Sequence, residues 1–81
     1  MVKKRYDDIY EEISKNIKKY RKKKKITQKE LAEISGYCHQ YIRRIESKKS
    51  KKHFSIDTVY VLSRALDVSL ADLITAYKEE D

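Results

Sequence analysis

The chain has no proline, no tryptophan, a single glycine (Gly36) and a single cysteine (Cys38) among its 81 residues. With so little turn punctuation, hairpins and long ordered loops have few places to form. One cysteine excludes an internal disulfide and fits a reducing compartment. Long apolar runs are missing too. Val59 to Leu62 is the longest strongly apolar one, far short of the ~20 residues a helix needs to span a bilayer. Lys3, Lys4 and Arg5 imitate the start of a signal peptide, but Tyr6-Asp7-Asp8 follows where an apolar stretch would be required. The expectation is a cytoplasmic protein with no membrane attachment. Also lacking are a glycine-rich phosphate loop, a nucleophile with a matching His and acid, and paired carboxylates in an evident pocket, so no enzymatic activity is expected. Cys38, the adjacent His39 and the distant His53 do not have metal-ligand spacing, and no metal or cofactor is expected.

What is abundant is positive charge, and it is unevenly placed. The formal net charge is +7. From Lys15 to Lys52 there are 15 Lys/Arg against three acids (Glu30, Glu33, Glu46), a net of +12, while the two flanks together are net −5. A charge concentration of this kind suits a polyanion, with nucleic acid first and an anionic membrane surface second. The membrane alternative needs a helix with an exposed apolar face, whereas the apolar positions here are spaced for a core.

That spacing is helical throughout, which makes the chain all-α and, at this length, one domain. Residues 13–74 are expected to form its core, preceded by an extension of the first helix over 1–12 and followed by an acidic tail over 75–81. Tyr6, Tyr10, Ile13, Ile17 and Tyr20 mark one face of a first helix over about 6–24, closed by the basic run Arg21 to Lys25. Thr27 and Glu30 form a capping box, with Ile26 and Leu31 as its hydrophobic staple, opening a second helix that runs to about Ser35. Gly36 then suits a left-handed helix end. A third helix over about Cys38 to Ser47 turns Ile42 and Ile45 inward, with Tyr37 packing just before it. The polar, basic stretch SKKSKKHF (47–54) reads as a loop. Ser55 can cap a fourth helix carrying Ile56, Val59, Tyr60, Leu62, Ala65 and Leu66. Ser69 and Asp72 form a second capping box for a short fifth helix through about Tyr77.

Two short helices around a tight glycine turn make a helix-turn-helix unit. Ala32 is small where the two helices should cross closely. The face of the third helix opposite Ile42 and Ile45 carries His39, Gln40, Tyr41, Arg43 and Arg44. Gln can bond adenine and Arg can bond guanine in bidentate fashion, so these five are the candidates for reading bases in a major groove. Tyr41 is open between that role and packing, and the run Lys22 to Lys25 between phosphate binding and an ordinary solvated face.

Gln28, Leu31, Ala32, Gly36, Ile42, Ile45 and Glu46 match in type and spacing the helix-turn-helix of Cro/C1-type (XRE-like) regulators. The resemblance extends from about Ile13 to Ile74 and includes ALDVSLADLI (65–74). It implies a lambda-repressor-like fold of five helices that binds double-stranded DNA, acting as a homodimer on a palindromic operator and most simply as a repressor. It implies that Gln28, with Lys29 beside it, meets the DNA backbone and buttresses the third helix. It also implies that the basic loop bearing Lys49, Lys51 and Lys52 holds phosphates, and that Arg21 pairs structurally with Glu46. Compact repressors, restriction-modification controllers and antitoxin-type autoregulators are the relevant comparisons. The alternatives are an antitoxin-like or adaptor module whose main partner is a protein such as a toxin, and a non-specific nucleic-acid binder.

Three positions depart from the family pattern. Cys38 stands where a capping Ser or Thr is usual, Asp67 replaces the glycine that follows the fourth helix, and the loop at Ser47-Lys48-Lys49 lacks its glycine. Cys38 is also open to a redox role, the plainer reading being a small residue in place of Ser.

Overall fold

Helix α1, Ile9–Lys23, opens with Glu11 and Glu12 and closes with Arg21, Lys22 and Lys23, so both ends complement the helix dipole. The computed structural model describes residues 9–47 and 54–75, so the expected start of this helix at Tyr6 lies outside the described residues. Its inward stripe is Ile13 and Ile17, with Tyr20 half-buried beside them. Tyr10 meets Phe54 edge-on with ring centroids 5.2 Å apart. The chain leaves α1 through Lys25, a left-handed residue at φ 64 whose N–H donates to the Lys22 carbonyl.

Helix α2, Gln28–Ser35, starts on the expected capping box: the Glu30 N–H donates to Thr27 Oγ1 at 3.0 Å and the Thr27 N–H to Glu30 Oε1 at 2.8 Å. It ends at Gly36, which is left-handed at φ 87 and donates its N–H to the Ala32 carbonyl. Helix α3, His39–Glu46, follows at once. Cys38 and Ser47 are its end caps rather than helical residues, and Cys38 makes no side-chain capping bond. Helix α4, Ile56–Leu66, is capped by Ser55, and it stops at Asp67, left-handed at φ 62. Helix α5, Leu70–Ile74, carries the second capping box, Ser69 with Asp72.

Among the described residues these five helices share one core. Ile17, Leu31, Ile42, Leu62 and Leu73, one from each helix, are completely buried. Helix α1 lies against α3, α4 and α5, and α2 packs closely on α3. Each of α2 and α3 is eight residues long, too short to persist alone in water, so packing on this core is what keeps them helical.

The expectation of Tyr60 as a core residue, from its place on the apolar face of the fourth helix, is corrected, and Ile56 is exposed with it. Ile56 and Tyr60 are 61% and 51% exposed instead of facing inward. The inward stripe of α4 is Val59, Leu62 and Leu66, and at about 100° per residue Tyr60 falls at least about 100° around the helix from each of them. Ile56 is the first residue of the helix, immediately after the Ser55 cap. The fifth helix also ends earlier than Tyr77. Thr75 is extended at φ −101, ψ 140, and its N–H and Oγ1 both donate to the Ala71 carbonyl, which closes the helix at Ile74.

Candidate nucleic-acid interface

Helix α3 is held from below at both ends. Ile42 and Ile45 are 0% and 3% exposed, which fixes its rotation about its own axis. At its C-terminal end, Arg21 of α1 grips Glu46 with a two-pronged contact: Nε to Oε2 at 2.7 Å and Nη2 to Oε1 at 3.0 Å. The third guanidinium nitrogen donates to the Ile26 carbonyl at 2.8 Å, and Gln28 Nε2 donates to Glu46 Oε1 at 3.0 Å. This buried pair is the one expected from Arg21 and Glu46, and planar bidentate geometry is what makes such a pair directional. Ser14, two turns before Arg21 on α1, donates to the Ile45 carbonyl. Ser14 leaves no signal in the sequence beyond being a polar residue beside an apolar stripe.

The other end of α3 is tied to α4. Tyr37 and Tyr41 pack with ring centroids 5.1 Å apart, and the Tyr37 hydroxyl donates to Thr58 Oγ1 at 3.4 Å. The Tyr41 hydroxyl lies 3.5 Å from the same oxygen. Tyr41 is thus half-buried and takes part in packing, while an edge of it still borders the outer surface of α3.

On that outer surface a shallow groove runs along the helix, lined by Cys38, Gln40, Tyr41, Arg43, Arg44 and Ser47. Gln40, Arg43 and Arg44 are exposed. The only acid between Gly36 and Ser47 is Glu46, which is buried and already paired, so the charged side chains on the face that α3 presents are all cationic.

His39 does not line this groove. It lies at a second, shallow hollow with Lys22, Lys25, Gln28 and Lys29, where the end of α1 meets the starts of α2 and α3. The structure therefore draws Lys22 and Lys25 next to Gln28 and Lys29, a grouping that a lysine run in sequence does not reveal. Lys49, Lys51 and Lys52 lie outside the described residues. Asn16 was also missed: fully buried, it donates from Nδ2 to the Leu73 and Thr75 carbonyls at 2.7 and 2.8 Å and anchors α5 to α1.

No helix among the described residues is long and apolar enough to cross a membrane. A sequence model of the family described as helix-turn-helix matches residues 17–73, spanning α2 and α3 and most of what surrounds them. The chain is 35% identical over 68 residues to the control protein C.SmaI of Serratia marcescens, covering 84% of this chain and 79% of that one. It is 31% identical over 72 residues to an uncharacterized HTH-type transcriptional regulator, y4dJ, of Sinorhizobium fredii, covering 89% and 91% of the two chains. No solved structure matches the sequence closely enough to count as a relative. With a bidentately anchored α3, an outer face whose charged side chains are all cationic, and these matches, the chain belongs to the Cro/C1-type helix-turn-helix family of DNA-binding transcriptional regulators and is not an enzyme.

Proposed function

We propose that the protein is a sequence-specific regulator that binds a palindromic operator as a homodimer, each copy placing α3 in the major groove. The observation that carries this reading is the two-sidedness of α3. Ile42, Ile45 and Glu46 are locked into the domain while Gln40, Arg43 and Arg44 project from the opposite face. A helix that merely covered the core would need no such rigid mounting. Gln40 sits in the first turn, where base edges are normally reached, and is assigned a direct base contact. Arg43 and Arg44 are assigned to guanine edges further along, with Tyr41 at the border. Gln28 and Lys29, together with the loop residues Lys49, Lys51 and Lys52, hold the backbone and set register without reading sequence.

Half-sites about one helical turn apart, roughly 10–10.5 bp centre to centre, suit a two-fold dimer of this kind. Regulation by occupying the operator and excluding polymerase is the simplest mode, and similarity to proteins named as a control protein and as a transcriptional regulator favours regulation over packaging. The test is selection from a random duplex library at physiological salt, where a specific site should outcompete random DNA by about 10³–10⁷-fold. An enriched inverted repeat is the expected result. Retention of DNA with no enriched sequence would leave only a backbone binder.

A further inference from the structure

We propose that the hollow between α1, α2 and α3 is a backbone-phosphate seat in which His39 takes up a proton when DNA binds, so that His39 sets the pH dependence of affinity instead of reading a base. The inference rests on the DNA-binding reading above and assigns His39 a different partner within it.

The hollow draws charge of one sign from every element around it. Lys22 comes from the end of α1, Lys25 from the turn, Lys29 from α2 and His39 from α3, with the Gln28 amide as a neutral donor. Among the described residues lining it, none is acidic. Two carboxylates bond to lining residues: that of Glu46, which accepts from Gln28, is paired with Arg21, and that of Glu30, which accepts from the Thr27 N–H, is engaged in the α2 cap; Lys22, Lys25 and Lys29 outnumber them at the hollow. A concave cluster of this kind concentrates positive potential on an anion of phosphate size.

His39 is the first residue of α3, and helical Cα–Cβ bonds tilt toward the N-terminus. Its imidazole therefore leans back toward α1 and α2, away from the groove that Gln40, Arg43 and Arg44 border.

An imidazole carries one N–H when neutral and two N–H donors with a full charge when protonated. It is also the side chain that changes state near neutral pH. A phosphate brought against it favours the protonated form, so the complex binds more protons than the free partners do. Affinity must then fall as pH rises, by up to about tenfold per pH unit where one proton is taken up in full. At the acidic end of that range His39 adds one released counterion, steepening the dependence of log affinity on log salt by about 0.9.

The experiment is binding of the full chain to its selected duplex and to a random duplex between about pH 6 and pH 8, for wild type, His39→Gln and Gln40→Ala, each carrying His53→Gln so that the chain's other imidazole does not contribute. His39 is exposed, so its replacement leaves the core untouched. The expected result is a pH dependence shared by both duplexes in wild type and Gln40→Ala and absent in His39→Gln, which keeps the wild-type base preference. A pH dependence that survives in His39→Gln overturns the proposal, as does a change of preferred base in that variant. Wild type that shows the His39-dependent pH effect on random DNA but prefers no sequence upholds the phosphate seat while refuting sequence-specific reading. Failure to bind any duplex overturns both.

Discussion

Replacing Glu46 with Ala should come close to unfolding this protein. The Arg21 side chain is 10% exposed and that of Glu46 is 2% exposed, and the guanidinium directs two of its nitrogens at the carboxylate. Removing the carboxylate leaves a buried cation with the Ile26 carbonyl as its one remaining acceptor among those described. Breaking one side of a buried pair costs about 3–5 kcal/mol, because the orphaned charge keeps its desolvation penalty and loses its partner. A chain of 81 residues has a total stability of about 4–12 kcal/mol at ~0.05–0.15 kcal/mol per residue. The loss is therefore about a quarter of the total at the least, and at the lower end of that range all of it. Gln28 also loses its acceptor, but it is half-buried and can turn to water at small cost. Urea unfolding followed by far-UV circular dichroism should show a lower midpoint with an unchanged slope, and the double variant Arg21→Met/Glu46→Leu should recover most of the loss. A loss below about 1 kcal/mol for Glu46→Ala would refute the reasoning, since the pair would then behave like a solvent-screened surface contact.

Three further outcomes follow from particular geometries. Gln40→Ala should remove preference at one base position of the operator at a cost of about 1–3 kcal/mol in specific binding, with binding to random duplex unchanged, as read by competition titration. Cys38→Ser supplies the capping oxygen that α3 lacks and should raise stability by about 1 kcal/mol, visible as a higher melting temperature. Asp67→Gly relieves a left-handed non-glycine residue and should stabilise by about 0.5–1 kcal/mol, whereas an unchanged urea midpoint would mean that Asp67 is comfortable at φ 62.

Much of this architecture was written locally. Capping boxes need only four consecutive residues, so Thr27 with Glu30 and Ser69 with Asp72 fixed the starts of α2 and α5 to the residue. Gly36 marked the end of α2 because a left-handed backbone is a property of the residue itself. Apolar spacing in α3 identified Ile42 and Ile45 as its anchors, and by subtraction the face that carries Gln40, Arg43 and Arg44. The partnership of Arg21 with Glu46 was legible only through family resemblance, since no local pattern joins residues 25 positions apart.

Tertiary structure decided the rest, because it depends on which surfaces meet. Tyr60 and Ile56 are as apolar as their buried neighbours, and only the packing of α4 on α1, α2 and α5 determines which side of the helix finds a core. Ser14 and Asn16 became structural through carbonyls of α3 and α5 that lie far away in sequence. His39 follows the same logic. In sequence it adjoins Gln40 and shares its helix, but α1 and α2 fold so that it faces Lys22, Lys25 and Lys29 instead. Periodicity sorts residues into inside and outside; the neighbours of an outside residue are set by the helices that come to lie beside it.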